Sequence, residues 1–251
     1  MLNHINNTVI FRFNGTKVFY KVRGSLSSPV NIFLHGWGQD GNSFSQVISS
    51  CPGFCNITVD FPPFGKSGKI DGWTIFSYAN MLISLCEALK IEKCNLIGHS
   101  FGGRVAILVS SMNKDLVNKL VLVGSAGMKP KRKLSYYFNL CSYKTMKFLG
   151  YIPKNAGSSD YAKLDEGMKK TFVSIVNTHL ENYAKLIEAK TLIVFGENDT
   201  ETPVYMAKRL NKLIKNSELV ILPHAGHFCF QERSLKFCRL LTEFLTKEEE
   251  L

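Results

Sequence analysis

The pentapeptide Gly98-His99-Ser100-Phe101-Gly102 constrains this chain more than any other short stretch, because of what flanks it. Cys94-Asn95-Leu96-Ile97 precedes it and reads as a buried strand. Gly103-Arg104-Val105-Ala106-Ile107-Leu108-Val109 follows and reads as the opening of a helix. A turn sharp enough to join strand to helix in so few residues forces a cramped backbone on the serine. It also requires small residues beside it, where neighbouring chain must pass closely. The serine hydroxyl then projects above the strand end, with a helix N-terminus beneath it.

The rest of the 251 residues fits around that unit. Residues 8–13 and 17–22 form a hairpin pattern about Asn14-Gly15, a strong turn signal. Strands are expected at 30–34, 56–60, 119–123, 191–195 and 218–222, and helices at 74–89 and 233–245. Such alternation is the pattern of a mainly parallel sheet covered by helices. Residues 127–188 interrupt it with Lys129-Pro130-Lys131-Arg132-Lys133, then Tyr136, Tyr137, Phe138, Tyr143, Phe148 and Tyr151, then a helical pattern over 168–189. We therefore expect a core of residues 1–126 and 189–251 and a helical lid of residues 127–188.

A serine hydroxyl is a weak nucleophile at neutral pH. It needs a base to take its proton and an acid to orient that base. Both should lie in loops at the strand ends that carry the serine. The strand at 191–195 runs into Gly196-Glu197-Asn198-Asp199, with Pro203 opening a helix. The last strand runs into Pro223-His224-Ala225-Gly226-His227-Phe228. Asp199 is the expected acid, with Glu197 and Asp71 as rivals, and His227 the expected base, with His224 as its rival.

Four separated motifs now stand in order: His35-Gly36-Trp37-Gly38, Gly98 to Gly103, Gly196-x-x-Asp199 and Gly226-His227-Phe228. On these the chain resembles the α/β-hydrolase superfamily over essentially its whole length, with its order of serine, acid and histidine. The resemblance implies an α/β fold with a mostly parallel eight-stranded sheet, flanking helices and an inserted helical lid. It also matches Asp60-Phe61-Pro62-Pro63-Phe64-Gly65-Lys66-Ser67 to a family loop, with Pro63 where glycine is usual. It implies an oxyanion hole made by the backbone N–H groups of Trp37 and Phe101. Each such donor is worth about 3–4 kcal/mol to a transition state. Substrate contacts are expected from His35, Gly36, His99, Phe138 and Phe228. Of these, His35 should mainly hold the oxyanion loop, and His99 should mainly pack.

The implied activity is hydrolysis of an ester-type acyl bond in a small to medium, partly apolar substrate through an acyl-Ser100 intermediate. Relatives that cleave carbon–carbon bonds of ring-cleavage products generally carry asparagine before the serine and tryptophan after the histidine. His99 and Phe228 stand there instead. A non-catalytic ligand-binding protein of the same fold is the other alternative.

Several classes are set aside by composition. Phe64-Gly65-Lys66-Ser67 resembles the end of a phosphate-binding loop, but position 60 is aspartate where that loop needs glycine. Cys51 and Cys55 have no second pair to make a zinc site. No cofactor or metal is therefore expected. Seven scattered cysteines suit free thiols in a reducing compartment, and no signal peptide opens the chain, so a cytoplasmic location is expected. The net charge is +11, and residues 128–190 hold 12 Lys and Arg against 5 Asp and Glu. This reads first as a solubilising face. Contact with an anionic membrane surface is a lesser reading, and no nucleic-acid motif accompanies the charge.

Overall fold

The Asn14-Gly15 turn sets the first edge of the sheet. Both residues take positive φ, 47° and 79°, the conformation a tight hairpin requires and one that asparagine and glycine tolerate best. In the computed structural model, which describes residues 6–70, 72–131, 164 and 166–247, the turn joins β1 (Asn6–Phe13) to β2 (Thr16–Arg23). The strands β3 (Val30–Leu34), β4 (Cys55–Asp60), β5 (Cys94–His99), β6 (Val117–Val123), β7 (Lys190–Gly196) and β8 (Ser217–Leu222) complete an eight-stranded sheet. Its order is β1-β2-β4-β3-β5-β6-β7-β8, antiparallel at β1, β2 and β4 and parallel from there on.

Alternation along these strands builds two cores. Ile32, Leu34, Ile57, Val59, Leu96, Leu120 and Leu122 face one side. There they pack against α2 (Ile75–Ala88) and α3 (Phe101–Met112). Phe33, Ile97, Val121, Val123, Leu192 and Val194 face the other, against α1 (Ser45–Ile48) and a C-terminal helix, Ser234–Thr246. The central strands are apolar on both faces, as a doubly covered parallel sheet demands. Register across the middle is held by a row of asparagines. The Asn31 side-chain amide donates to Asn56 Oδ1 (3.0 Å), Asn95 to Asn31 (2.9 Å) and Asn118 to Asn95 (3.2 Å).

The helical pattern over 168–189 is not one helix. It divides into α4 (Glu166–Asn177) and the single turn α5 (Glu181–Ala184). The break has a cause: Arg104, buried on α3, donates to the carbonyls of Ile175 (2.9 Å), Thr178 (2.8 Å) and Val176 (3.5 Å). Capture of those carbonyls, with Leu180 N–H donating to Gly127 O at 2.8 Å, turns the chain out of the helix. Phe138 and the other aromatics expected in the lid lie outside the described residues. The remaining helices are α6 (Val204–Leu213), α7 (Cys229–Glu232) and α8 (Ser234–Thr246). No described helix is long and apolar enough to cross a membrane.

The β5–α3 junction explains its own glycines. A Cβ on Gly98 would stand 2.6 Å from Gly102 O, and one on Gly102 would stand 2.1 Å from Leu34 O at the end of β3. Those obstacles are backbone, which cannot swing aside. Gly102→Ala should therefore lose at least the ~1–3 kcal/mol typical of overpacking, seen as a lower urea midpoint, and an unchanged midpoint would contradict this packing.

Candidate active site

Strand order brings the relevant loops to one edge. β3, β5, β7 and β8 run parallel, so the loops carrying residues 35–40, Ser100, Asp199 and His227 all leave from C-terminal strand ends. Ser100 sits at φ 50°, ψ −108°, a conformation rare outside glycine that costs about 1–3 kcal/mol. It is held there by its N–H donating to Val123 O (3.0 Å). Its carbonyl accepts from Ala126 N (3.2 Å) and Arg104 N (3.3 Å).

His227 Nδ1 lies 2.9 Å from Asp199 Oδ2, and both residues are buried. The Asp199 carboxylate has little lone-pair capacity left over. Oδ1 accepts from the N–H groups of Glu201 (2.9 Å) and Thr202 (2.8 Å), and Oδ2 also accepts from the Thr202 hydroxyl (2.7 Å). Burial pushes the carboxyl's pKa up, but hydrogen bonds from His227 and from the Thr202 backbone and hydroxyl outweigh it. The result lies below the ordinary value. Asp199 is thus an anion that fixes the orientation of His227. The rivals stand elsewhere: Glu197 accepts from the exposed His224 N–H (3.0 Å), and Asp71 lies outside the described residues.

Ser100 and His227 border one cavity of 420 Å³, with Gly36, Trp37, His99, Phe101 and Phe228. His227 Nε2 lies 3.4 Å from Glu201 Oε2, a carboxylate at the exposed rim of that cavity. Phe101 begins α3, so its N–H has no partner within the helix. Trp37 meets Phe101 edge-on at 5.4 Å between ring centroids and Phe172 of α4 at 5.1 Å.

His35, by contrast, does not border the cavity. It is fully buried, its Nδ1 donates to Gly36 O (2.7 Å) and its Nε2 accepts from Phe61 N–H (2.8 Å). With both ring nitrogens occupied, it holds the loop rather than touching a substrate. Burial lowers its pKa and keeps it neutral. Sequence reading passed over Arg104, Phe172, Ile175, Val176, Gln39, Glu201 and Thr202, all of which border the cavity. Only Thr202, three residues after an acid and before a helix, carried a local signal. Among the described residues no cluster of metal-ligating side chains occurs.

Family models agree with this architecture. One, described as the alpha/beta hydrolase fold, matches residues 29–140, and a second, described as TAP-like protein, matches residues 172–249. The chain belongs to the α/β-hydrolase superfamily. It is 26% identical to a pimeloyl-[acyl-carrier protein] methyl ester esterase of Wigglesworthia glossinidia brevipalpis, over 91% of this chain and 98% of that one. It is also 26% identical to a 2-hydroxy-6-oxononadienedioate/2-hydroxy-6-oxononatrienedioate hydrolase of Paraburkholderia xenovorans, over 84% of this chain and 82% of that one. In fold it is similar to an esterase from Exiguobacterium antarcticum. The TM-score is 0.77 and the identity 22%, over 97% of this chain and 100% of that one.

The Asp199 network yields a pH test. A carboxyl whose pKa is depressed on folding contributes stability above its unfolded pKa, near ~3.9, and loses it as pH falls through the folded value. Thr202→Val removes one donor and should cost about 1 kcal/mol at pH 7. That deficit should shrink as pH drops below ~4, where the unfolded carboxyl protonates. Urea melts at pH 7 and pH 3 measure it, and a deficit independent of pH would contradict the assignment.

Proposed function

We propose that the protein is a serine hydrolase that cleaves ester-type acyl bonds of a small to medium, partly apolar substrate. The observation that carries this reading is the strained Ser100 opening onto the same cavity as an imidazole oriented by a buried carboxylate. Such strain persists where the surrounding structure over-determines it, and it clusters at functional sites.

In this mechanism neutral His227 takes the Ser100 proton on Nε2 as Oγ attacks the substrate carbonyl carbon. The carbonyl π electrons move to oxygen, and the N–H groups of Trp37 and Phe101 hold the resulting oxyanion. As the tetrahedral intermediate collapses, the bond to the leaving oxygen breaks, and His227 returns its proton to that oxygen, releasing the alcohol. Water, deprotonated by His227, then attacks the acyl-serine carbonyl; on collapse the bond to Oγ breaks and His227 returns the proton to Oγ, which restores Ser100 and frees the acid. Asp199 keeps its charge throughout and stabilises the imidazolium. Phe172, Ile175 and Val176 of α4 supply an apolar wall suited to the acyl chain.

The likeness to a hydrolase of ring-cleavage products keeps carbon–carbon bond hydrolysis as the second reading. His99 and Phe228 are its weak point, since both border the cavity where that chemistry generally has asparagine and tryptophan.

A fluorophosphonate probe should label the wild type. Ser100→Ala should lose the labelling and about four orders of magnitude in ester turnover. His227→Ala should be nearly inactive, while His224→Ala should keep most of its activity. Labelling that survives Ser100→Ala would overturn the nucleophile, and a more severe loss at His224 would overturn the base.

A further inference from the structure

Of the described residues bordering the cavity, only Arg104 and Glu201 carry a fixed charge, and their situations differ. Arg104 is buried, and its guanidinium already serves the carbonyls of Ile175, Val176 and Thr178 at the end of α4. Glu201 has no such commitment. Its side chain is 63% exposed, and among the described residues no lysine or arginine pairs with it. Its backbone, by contrast, is fixed, because the Glu201 N–H donates to Asp199 Oδ1 at 2.9 Å. One of the hydrogen bonds that anchor Asp199 therefore also holds a second carboxylate at the mouth of the site.

The place of Glu201 relative to His227 gives that charge a chemical meaning. Glu201 Oε2 lies 3.4 Å from His227 Nε2, the nitrogen that returns a proton to the leaving oxygen in the proposed mechanism. A leaving oxygen must come within about 3 Å of Nε2 to be protonated, so it also stands within roughly 6 Å of the Glu201 carboxylate. Two carbons further along, the alcohol can reach that carboxylate. A positive charge there meets an uncompensated anion, and a negative charge meets its like at short range. The rings of Trp37 and Phe228 border the same cavity, with Phe228 5.5 Å from the His227 ring. Aromatic faces favour a weakly hydrated cation such as a quaternary ammonium.

We infer that Glu201 selects the alcohol portion of the substrate by charge, favouring an ester whose alcohol carries a quaternary ammonium two carbons from the ester oxygen and disfavouring an anionic one. The inference rests on the ester-hydrolase reading, because only there does an alcohol stand at His227, but the selection itself can be measured without turnover. The chain's net charge of +11 works the other way, attracting anions from a distance. That broad field is hardly altered by the loss of one carboxylate, so removing Glu201 isolates the local preference.

The experiment uses three butanoate esters of similar shape: 2-(trimethylammonio)ethyl, its neutral isostere 3,3-dimethylbutyl, and 2-sulfonatoethyl. Turnover is measured as kcat/KM for wild type and Glu201→Gln at low and high salt. Binding of the same esters is followed by calorimetry on Ser100→Ala, with and without Glu201→Gln. The ratio of cationic to neutral ester should fall about threefold or more on Glu201→Gln, and the ratio of anionic to neutral should rise. Both effects should shrink at high salt, and Glu201→Asp should restore part of the original ratios. Ratios that Glu201→Gln leaves unchanged overturn the inference. So does an equal loss for all three esters, since the carboxylate would then serve the imidazole and not the substrate, or binding of none of them. Wild-type turnover of the 3,3-dimethylbutyl ester tests the hydrolase reading separately, and the calorimetric ratios test the charge selection without it, so the failure of one is not mistaken for failure of the other.

Discussion

Everything at the site depends on one close approach, that of the β5–α3 junction to the end of β3. With no side chain at 98 or 102, the backbone of Gly102 settles against Leu34 O and His35 O. That contact brings the start of α3 under the loop containing Trp37, so the two N–H groups of the proposed oxyanion hole come from chain segments far apart in sequence. The same junction bends Ser100 into its strained conformation. Neither feature could be relaxed without opening the other. The strain is held by backbone hydrogen bonds to β6 and the loop after it, through Val123 and Ala126.

Three histidines near the site illustrate how surroundings assign roles. His35 has both nitrogens occupied by backbone and serves the loop. His227 is oriented through Nδ1 by Asp199 and turns Nε2 toward the cavity rim, where Glu201 stands. His99 spends one nitrogen on the His227 carbonyl and leaves the other unpaired. Residue type alone would not separate them; the partner of each nitrogen does.

Much of this was legible in the sequence, where the physics is local. Asn14-Gly15 announced its hairpin, and the pattern of apolar residues located α2 and α8 to within a residue or two. The four loop motifs named Ser100, Asp199 and His227 because such chemistry requires those residue types at strand ends. Long-range pairing was not legible. Arg104 looks like an ordinary helix residue, and only the fold shows that it takes three carbonyls some seventy positions away and so ends α4. Asn31, Asn56, Asn95 and Asn118 carry no mutual signal until strand order sets them in a row. Glu201 comes within 3.4 Å of His227 Nε2 only through the fold, a proximity that neither periodicity nor a motif encodes.

The central claim is that acyl transfer passes through Ser100. Rapid-quench single turnover of an activated ester, followed by peptide mass spectrometry, tests it most directly. The account predicts a transient adduct of one acyl mass on the peptide containing Ser100, forming and decaying at rates compatible with steady-state turnover. Turnover without any adduct, or with the acyl group on a different residue, would contradict it.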